Sequence, residues 1–420
     1  MLLKNRRKAM VEQKLFTKNF IFLILGQAIS LFGNFILKLA LSMYVLEQSG
    51  SASIFAAVLS IATIPTILLS PLGGILADRA NKKNIMVILD ILTGICVLCT
   101  SFFLYKENDI AIISILLVLL SILSAFETPT VQACIPSMLT GENITKGNAV
   151  VNQIASISYL IAPIMGAVVY SIFGLKIVMY ASIFCFFSTA LLECFIDIPY
   201  KRFQKNETVF GIVKNDFCQS INFIFQKQKN ILNILIFTAF CRVFVMGVVL
   251  VGLPYIVRTV LLLNVKYYGI AESSLAIATI VGSIIAGIIA EKFKIKNLSF
   301  VIVMMGIFMM IAGTAFIIWN HTIIIYIIQV ISFCGIQIAI SIFSIFTVSF
   351  IQKKTPNDMI GKIMAYTSMI TLCMQPIGQM LYGFLFDIFY YTISVVLIGT
   401  GLIVCVMAYY AKRFFINLEK

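Results

Sequence analysis

Residues 74–84 read GILADRANKKN, and residues 287–297 read GIIAEKFKIKN. The two stretches are identical at five positions, each pair 213 residues apart: Gly74 and Gly287, Ile75 and Ile288, Ala77 and Ala290, Lys83 and Lys296, Asn84 and Asn297. The same offset relates Pro163-Ile164 to Pro376-Ile377. Two landmarks that share one offset, equal to about half the chain, predict an internal repeat.

The composition around these stretches is typical of a membrane protein. Hydrophobic residues make up 61% of the 420 residues and charged residues 11%, against roughly 45–50% and 25% in soluble globular chains. A membrane-spanning helix needs about 20 mostly apolar residues. Twelve such spans are predicted: 20–46, 52–77, 84–105, 110–135, 149–172, 177–196, 231–254, 269–290, 298–319, 322–350, 363–386 and 390–411.

Basic residues are distributed unevenly among the predicted connections. The chain has 31 Lys and Arg against 17 Asp and Glu, a net charge of +14. With the amino terminus in the cytoplasm, 25 basic residues face inward and four face outward: Lys106, Lys176, Arg258 and Lys266. This asymmetry predicts a multi-pass protein of the cell (cytoplasmic or inner) membrane with both termini cytoplasmic. The cations lie in short groups between apolar runs, which indicates contact with the headgroups of a lipid bilayer and not with nucleic acid.

One polar connection is much longer than the others. Residues 197–230 are basic, and their second part is amphipathic enough to lie along the membrane surface. This connection predicts an amino-terminal six-helix bundle (1–196), a cytoplasmic linker (197–230) and a carboxy-terminal six-helix bundle (231–420). Together with the repeat, it predicts an all-α integral membrane protein with twelve transmembrane helices in two pseudo-symmetric bundles.

The stretch that begins at Gly74 resembles the signature G-x-L-a-D-r-x-G-r-k, which the major facilitator superfamily carries between its second and third helices. The resemblance implies the fold just described and a gate at the cytoplasmic face. The residues expected in this gate are Gly74, Asp78, Arg79, Lys82 and Lys83, with the repeat positions Gly287, Glu291 and Lys292. The alternative is a basic loop that only sets the topology.

Three details of this signature lead to structural expectations. We expect Gly74 to let two helices approach closely. Asp78 ends a span, where it can meet a helix N-terminus or a cation, and the facing start of the eleventh span (Gly361, Lys362) would complete the latch. Asn81 replaces the second glycine of the signature, and Asn tolerates a left-handed backbone.

The fifth predicted span carries a second resemblance. Its residues 158–167 read SYLIAPIMGA, which resembles the G-x-x-x-G-P-x-x-G-G stretch of exporters of the superfamily, with strict matches at Pro163 and Gly166. Residues 26–52, 78–90, 127–136 and 157–163 resemble the macrolide-efflux (Mef-like) group, which is also similar to enterobactin exporters. These resemblances imply export. The chain departs from the group at Asn34, where an acid is expected, and it lacks the arginine that many antiporters carry in the fourth helix.

Polar residues inside the predicted spans are candidates for a substrate and coupling cavity. Four of them recur on one face of the first span: Gln27, Ser30, Asn34 and Lys38. Asp90, Glu127 and Arg242 add ionisable groups in the third, fourth and seventh spans. Because charges at membrane depth are costly, we expect them to face an aqueous cavity between the bundles. The alternative is that they join helices to one another, and Asp90 could instead belong to the gate network of Asp78.

Other classes of function find little support in the sequence. The chain has no G-x-x-x-x-G-K-[ST] phosphate loop, so it is not expected to hydrolyse ATP. A single histidine leaves no metal cluster or histidine-based triad. No selectivity sequence of a channel lies between the spans. We therefore expect no enzyme activity, no cofactor and no bound metal.

The function expected from these observations is secondary active export. The substrate would be an amphipathic organic compound, a drug such as a macrolide, exchanged for protons by a monomeric antiporter. Two alternatives stay open. The first is a siderophore or metabolite exporter on the same scaffold, and the second is a membrane sensor or partner of a separate ATPase that transports nothing itself.

Overall fold

The computed structural model describes residues 15–104, 108–198, 229–356 and 360–418. These residues form eleven helices that are long and apolar enough to cross a membrane. The helices are α1 Lys18–Ser49, α2 Ala52–Arg79, α3 Lys82–Phe103, α4 Asp109–Met138, α5 Glu142–Cys194, α6 Ile231–Val260, α7 Val265–Ile289, α8 Leu298–Ile318, α9 Thr322–Lys354, α10 Ile360–Ile388 and α11 Ile393–Leu418. The prediction of an all-α membrane protein is confirmed.

Helix α5 differs from the others because it turns back on itself. It has 53 residues, about 80 Å if straight, and is interrupted at Gly174, whose φ is 76°. Before the break, Gly166 packs against Ile36 of α1. After it, the Thr189 hydroxyl donates to the carbonyl oxygen of Gly26, near the start of α1. The two arms, 142–173 and 175–194, therefore run in opposite directions and correspond to the fifth and sixth predicted spans. The total of twelve spans stays a prediction.

Each membrane-spanning segment carries the chain from one face of the molecule to the other. We call the face where α1 begins, at Lys18, the terminal face and the face where α1 ends the distal face. Local sequence sets these ends: Thr17 accepts a hydrogen bond from the Phe20 amide at the start of α1. At its other end Gly50 adopts a left-handed φ of 59°.

The helices form an amino-terminal group, α1–α5, and a carboxy-terminal group, α6–α11. The groups meet where α2 packs along α10 and where the first arm of α5 packs along α7. Small residues make both contacts close. A Cβ atom on Gly383 would lie 2.8 Å from the Ala52 carbonyl oxygen, and one on Gly269 would lie 2.7 Å from that of Pro163. Pro163, in the exporter-like stretch, thus lies at the contact between the groups. The predicted division at 197–230 stays a prediction, because most of this linker lies outside the described residues.

Two expectations about the signature are wrong. Close helix contact occurs at Gly73, where a Cβ atom would lie 2.3 Å from the Ala125 carbonyl oxygen, whereas a Cβ atom on Gly74 would meet nothing within 4 Å. Asn81 is not left-handed: its φ is −70°, and its side chain accepts a hydrogen bond from the Asn84 amide as the N-cap of α3. The short connection from α2 to α3 therefore needs a cap and not a glycine.

Candidate functional site

Three embedded acids come together inside the amino-terminal group, and we call Asp90, Glu127 and Glu193 the acid cluster. Ser30 of α1 links two of them: its hydroxyl oxygen lies 3.1 Å from a carboxyl oxygen of Asp90 and 3.4 Å from one of Glu127. Because a hydroxyl carries one hydrogen, Ser30 donates to one of these carboxyl groups at a time. The structure thus joins Ser30, Asp90 and Glu127, which the sequence analysis selected separately.

Glycines of α1 explain why the second arm of α5 reaches this cluster. A Cβ atom on Gly33 would lie 2.9 Å from the Cys185 Cβ, and one on Gly26 would lie 3.3 Å from Thr189 Cγ2 and 3.7 Å from Glu193 Cγ. Larger residues at these positions would push the arm away. Close packing therefore places the Glu193 side chain beside the polar face of α1.

Glu193 is a site residue that the sequence analysis missed. It is 1% exposed, and its Oε2 atom has no hydrogen-bond partner. Its carboxyl group lies within hydrogen-bonding reach of that of Asp90, which is itself 3% exposed. A signal was available, because residues 177–196 contain this acid within an apolar run. The same signal would have found Glu272, which lies on α7 beside Tyr268.

The remaining residues of the α1 stripe lie around the cluster. Gln27 is 5% exposed, and its side chain lies within hydrogen-bonding reach of the Glu127 carboxyl group. The amide oxygen of Asn34 is buried and has no hydrogen-bond partner. Lys38 interacts electrostatically with Glu127. Because an unsatisfied polar atom is costly at membrane depth, the Asn34 oxygen has capacity to accept a hydrogen bond from water or substrate.

A cavity of about 500 Å³ lies in the carboxy-terminal group, in the half of the membrane nearer the terminal face. Its wall alternates hydroxyl or amide side chains with apolar ones. The polar members are Thr238, Thr279, Ser283, Gln337, Ser341, Ser344, Thr347, Thr367, Ser368 and Thr371. Such a wall offers many weak hydrogen bonds on an apolar surface, which suits an amphipathic molecule rich in oxygen atoms.

Arg242 is the charged side chain that lines this cavity. Its Nη1 atom donates to the Gln375 side-chain oxygen at 3.4 Å. It lies in a π-helical stretch of α6, Cys241–Met246, a geometry that often occurs at functional sites. The guanidinium group carries several donors and accepts none, so it favours anionic or strongly accepting groups.

The structure separates charges that the sequence analysis assigned to one chamber. The described residues that line the cavity all belong to α6–α10, and none of them is an acid. The acid cluster is instead enclosed by α1, α3, α4 and α5 of the other group. Neighbouring helices decide this arrangement: Glu193 and Asp90 face α1, whereas Arg242 faces α10.

At the distal face, polar contacts tie the two groups together. Asp387, near the end of α10, accepts hydrogen bonds from the Ser51 hydroxyl at 2.6 Å and from the Ala52 and Ser53 amides at 2.7 and 2.9 Å. These amides form the N-terminus of α2, which favours a carboxylate. Glu47 of α1 pairs with Arg258 of α6. We call these two contacts the distal latch.

The predicted gate at the terminal face is described only in part. The side chains of Asp78 and Lys362, and the surroundings of Gly361, lie outside the described residues. Lys82 and Lys83 are partly exposed, and Glu291 and Lys292 are exposed. A Cβ atom on Gly287 would meet nothing within 4 Å, as for Gly74. The gate role of these residues stays a prediction.

A multi-pass helical membrane protein with a polar cavity in one helix group and buried charges in the other has the architecture of a transporter. Residues 23–379 match the model of the Major Facilitator Superfamily, and the chain belongs to this family. It is therefore a transporter and not an enzyme.

Three individual proteins show which members of the family this chain is similar to. Macrolide efflux protein A of Streptococcus pyogenes is 25% identical over 374 residues, which cover 85% of this chain and 86% of that protein. The staphyloferrin A transporter of Staphylococcus aureus is 27% identical over 162 residues, which cover 38% of this chain and 41% of that protein. The crystal structure of the nucleoside transporter NupG has a TM-score of 0.69 and 16% identity, covering 95% of this chain and 99% of that one. The resemblance to the macrolide-efflux group is thus supported.

Proposed function

We propose that this transporter exports an amphipathic organic compound, such as a macrolide drug, in exchange for protons. The observation that carries the proposal is the cavity of about 500 Å³, with hydroxyl groups spread over an apolar wall. A compound with many ether, carbonyl and hydroxyl oxygens would find partners there without needing one fixed orientation. The similarity to Macrolide efflux protein A supports the same class of substrate.

Coupling to protons is proposed for the amino-terminal group. Glu127 is an embedded carboxyl group that can bind and release a proton, and Lys38 is its electrostatic partner. Gain of a proton by Glu127 would weaken the attraction to Lys38, and so change the packing of α1 against α4. Asn34 and Arg242 would contact substrate from the two groups of helices.

The transport cycle is proposed to alternate access between the two faces. Substrate enters from the cytoplasm or the inner leaflet at the terminal face, and the two groups of helices then rock about the bound molecule. In the arrangement described here the distal latch joins the groups. In the opposite arrangement Asp78 and the start of α10 would join them at the terminal face. The protein acts as a monomer in this scheme.

Export of a siderophore or another anionic metabolite is the second candidate. Arg242 favours it, because the described lining of the cavity holds this cation and no acid. The similarity to the staphyloferrin A transporter supports it as well. For an anionic substrate, Lys38 and Arg242 would be essential and Glu127 dispensable, whereas a cationic drug would reverse this order.

Flux through purified protein in proteoliposomes tests both candidates. The vesicles are given a proton gradient and offered either a radiolabelled macrolide or a radiolabelled carboxylate siderophore, with the gradient collapsed by an ionophore as the control. Gradient-dependent macrolide flux supports the proposal, and gradient-dependent flux of the siderophore alone supports the second candidate. If neither moves in a protein that still binds one of them, the sensor or ATPase-partner alternative replaces both.

A further inference from the structure

Glu193 and Asp90 have no evident place in the substrate cavity. Both side chains are almost completely buried inside the amino-terminal group, and the cavity lies in the other group. Two apolar side chains of similar size would cost less free energy to bury at these positions than two carboxyl groups do. Two carboxyl groups in these apolar surroundings need a bound ligand that stabilises them.

The geometry identifies what this ligand must be. Two ionised carboxylates at hydrogen-bonding distance repel each other strongly when no water separates them, whereas one shared proton turns the repulsion into a hydrogen bond. The Oε2 atom of Glu193 has no hydrogen-bond partner, so the carboxyl group of Glu193 has an oxygen free to carry a proton. Within the described residues, no three His, Cys, Asp or Glu side chains are grouped closely enough to hold a metal ion, so a proton fits this pair better than a metal does.

Every element around the pair contributes to its charge balance. Glu127 of α4 is a further acid beside the pair, and Lys38 of α1 interacts with Glu127. Lys82 of α3 interacts with Cys134 of α4. Cys134 of α4 and Cys194, next to Glu193 in sequence, are the other titratable groups nearby. Among the described residues no cation acts directly on Asp90 or Glu193, so a proton would reduce the negative charge of the pair.

Ser30 connects this pair to Glu127. When a proton lies between Asp90 and Glu193, the Asp90 oxygen no longer needs the hydrogen of Ser30, which can turn to Glu127. When the pair loses its proton, Ser30 returns to Asp90, and Glu127 loses a donor. The single hydroxyl hydrogen of Ser30 therefore couples the protonation of Asp90 and Glu193 to the hydrogen bonding of Glu127.

We propose that Asp90 and Glu193 form a proton-binding carboxyl pair that takes part in coupling, with Ser30 as the link to Glu127. The pair accepts one proton from water at one face, forming one O–H bond, and releases it to water at the other face. Its charge changes between −2 and −1 in each cycle. The role in transport rests on the proposed proton exchange, whereas the presence of a bound proton does not.

Infrared spectroscopy of the purified protein tests for the proton without any transport. The carbonyl stretch of protonated carboxylic acids is followed during a pH titration of the unmodified protein, Glu193→Gln, Asp90→Asn and, as a matched control, Glu142→Gln on the exposed start of α5. We expect a band at neutral pH that both pair variants weaken and the control retains at full intensity, because other embedded acids such as Glu127 can contribute the remainder. A band of unchanged intensity in both variants, or its absence from the unmodified protein, overturns the proposal, as does a band that changes with sodium concentration at constant pH.

Transport in proteoliposomes tests the role in coupling. With a radiolabelled macrolide, Glu193→Gln should lose gradient-driven accumulation by at least tenfold and keep gradient-independent exchange. Failure of the unmodified protein to transport would reject the proposed function but leave the infrared result standing. Full gradient-driven transport by both pair variants would reject the coupling role alone. If one variant fails to fold, as judged by gel filtration, the difference in band intensity between the other pair variant and Glu142→Gln still decides whether the proton is present.

Discussion

The amino-terminal group of helices holds the three acids of the acid cluster, and two of them, Asp90 and Glu193, are almost completely buried. The carboxy-terminal group instead has the cavity of about 500 Å³, and its described lining carries a single charge. The repeat sharpens this contrast. At the offset of 213 residues, Asp90, Glu127 and Glu193 correspond to Val303, Ile340 and Val406, and Arg242 corresponds to Ile29. At these four positions the repeat has apolar residues in place of the ionisable groups of the site.

This difference teaches that the two groups are suited to different tasks. A buried acid cluster responds to protons because each carboxyl group changes charge when it binds one. A wall of hydroxyl and apolar side chains responds to the shape and hydrogen bonding of a compound, and its charge stays constant. We therefore expect coupling and substrate recognition to fail independently when residues of one group or the other are changed.

Glu127→Gln should give the largest effect. Glutamine keeps the size and can still accept a hydrogen bond from Ser30, but it cannot bind and release a proton. Uphill export driven by a proton gradient should be abolished, while the affinity for a macrolide changes less than threefold. Flux in proteoliposomes and equilibrium binding to the purified protein check the two parts. A variant that still accumulates substrate against its gradient would remove Glu127 from coupling.

The sequence predicted the helices well because apolar runs of about 20 residues leave few alternatives in a bilayer. The second span, predicted at 52–77, is α2 at Ala52–Arg79, and the eighth, predicted at 269–290, is α7 at Val265–Ile289. The polar residues of the site were found one helix at a time. Their grouping could not be predicted in the same way, because it depends on which helices become neighbours.

Glu193 is an example of a site residue whose neighbours could not be predicted from the sequence. Its place beside Asp90 results from the glycines of α1, which admit the second arm of α5, and from the reversal of the chain at Gly174. Neither effect changes the hydropathy of the sequence around residue 193. The assignment of Arg242 to the same chamber as the acids was wrong for a related reason, since residues at similar depth in two helix groups can face different partners.

Arg242→Gln should give the next largest effect, and on binding instead of coupling. A hydrogen bond to a charged group contributes about 1.5–3 kcal/mol, which corresponds to roughly 10- to 150-fold in affinity. We expect a loss of this size for an anionic substrate and a smaller one for a macrolide, with the dependence on the proton gradient unchanged. Arg413→Gln, at the exposed end of α11, is the matched control. Loss of gradient dependence in Arg242→Gln would contradict the division between the groups.

Asp387→Asn should act on the contact between the groups and leave both tasks intact. Removing the negative charge from the N-terminus of α2 weakens the distal latch by about 1 kcal/mol. The population of molecules in which the two groups are separated at the distal face should therefore rise roughly fivefold. Spin labels at Gln48 and Leu262, on a cysteine-free background, report the distance across this face. Asp197→Asn at the terminal face is the control. Unchanged distances in Asp387→Asn would show that the Glu47–Arg258 pair holds the face closed by itself.

The smallest effect should come from Gly74→Ala, although Gly74 lies in the most conspicuous repeat of the sequence. A Cβ atom there meets nothing in this arrangement, so we expect its midpoint of thermal unfolding in detergent to equal that of the unmodified protein. Gly73→Ala should lower that midpoint, because forcing a methyl group against the Ala125 carbonyl costs about 1–3 kcal/mol. If Gly74→Ala is stable but transports slowly, the glycine makes its close contact in the opposite arrangement, as the gate at the terminal face requires. If Gly74→Ala equals the unmodified protein in both stability and transport, the result would instead support a connection between α2 and α3 that only sets the topology.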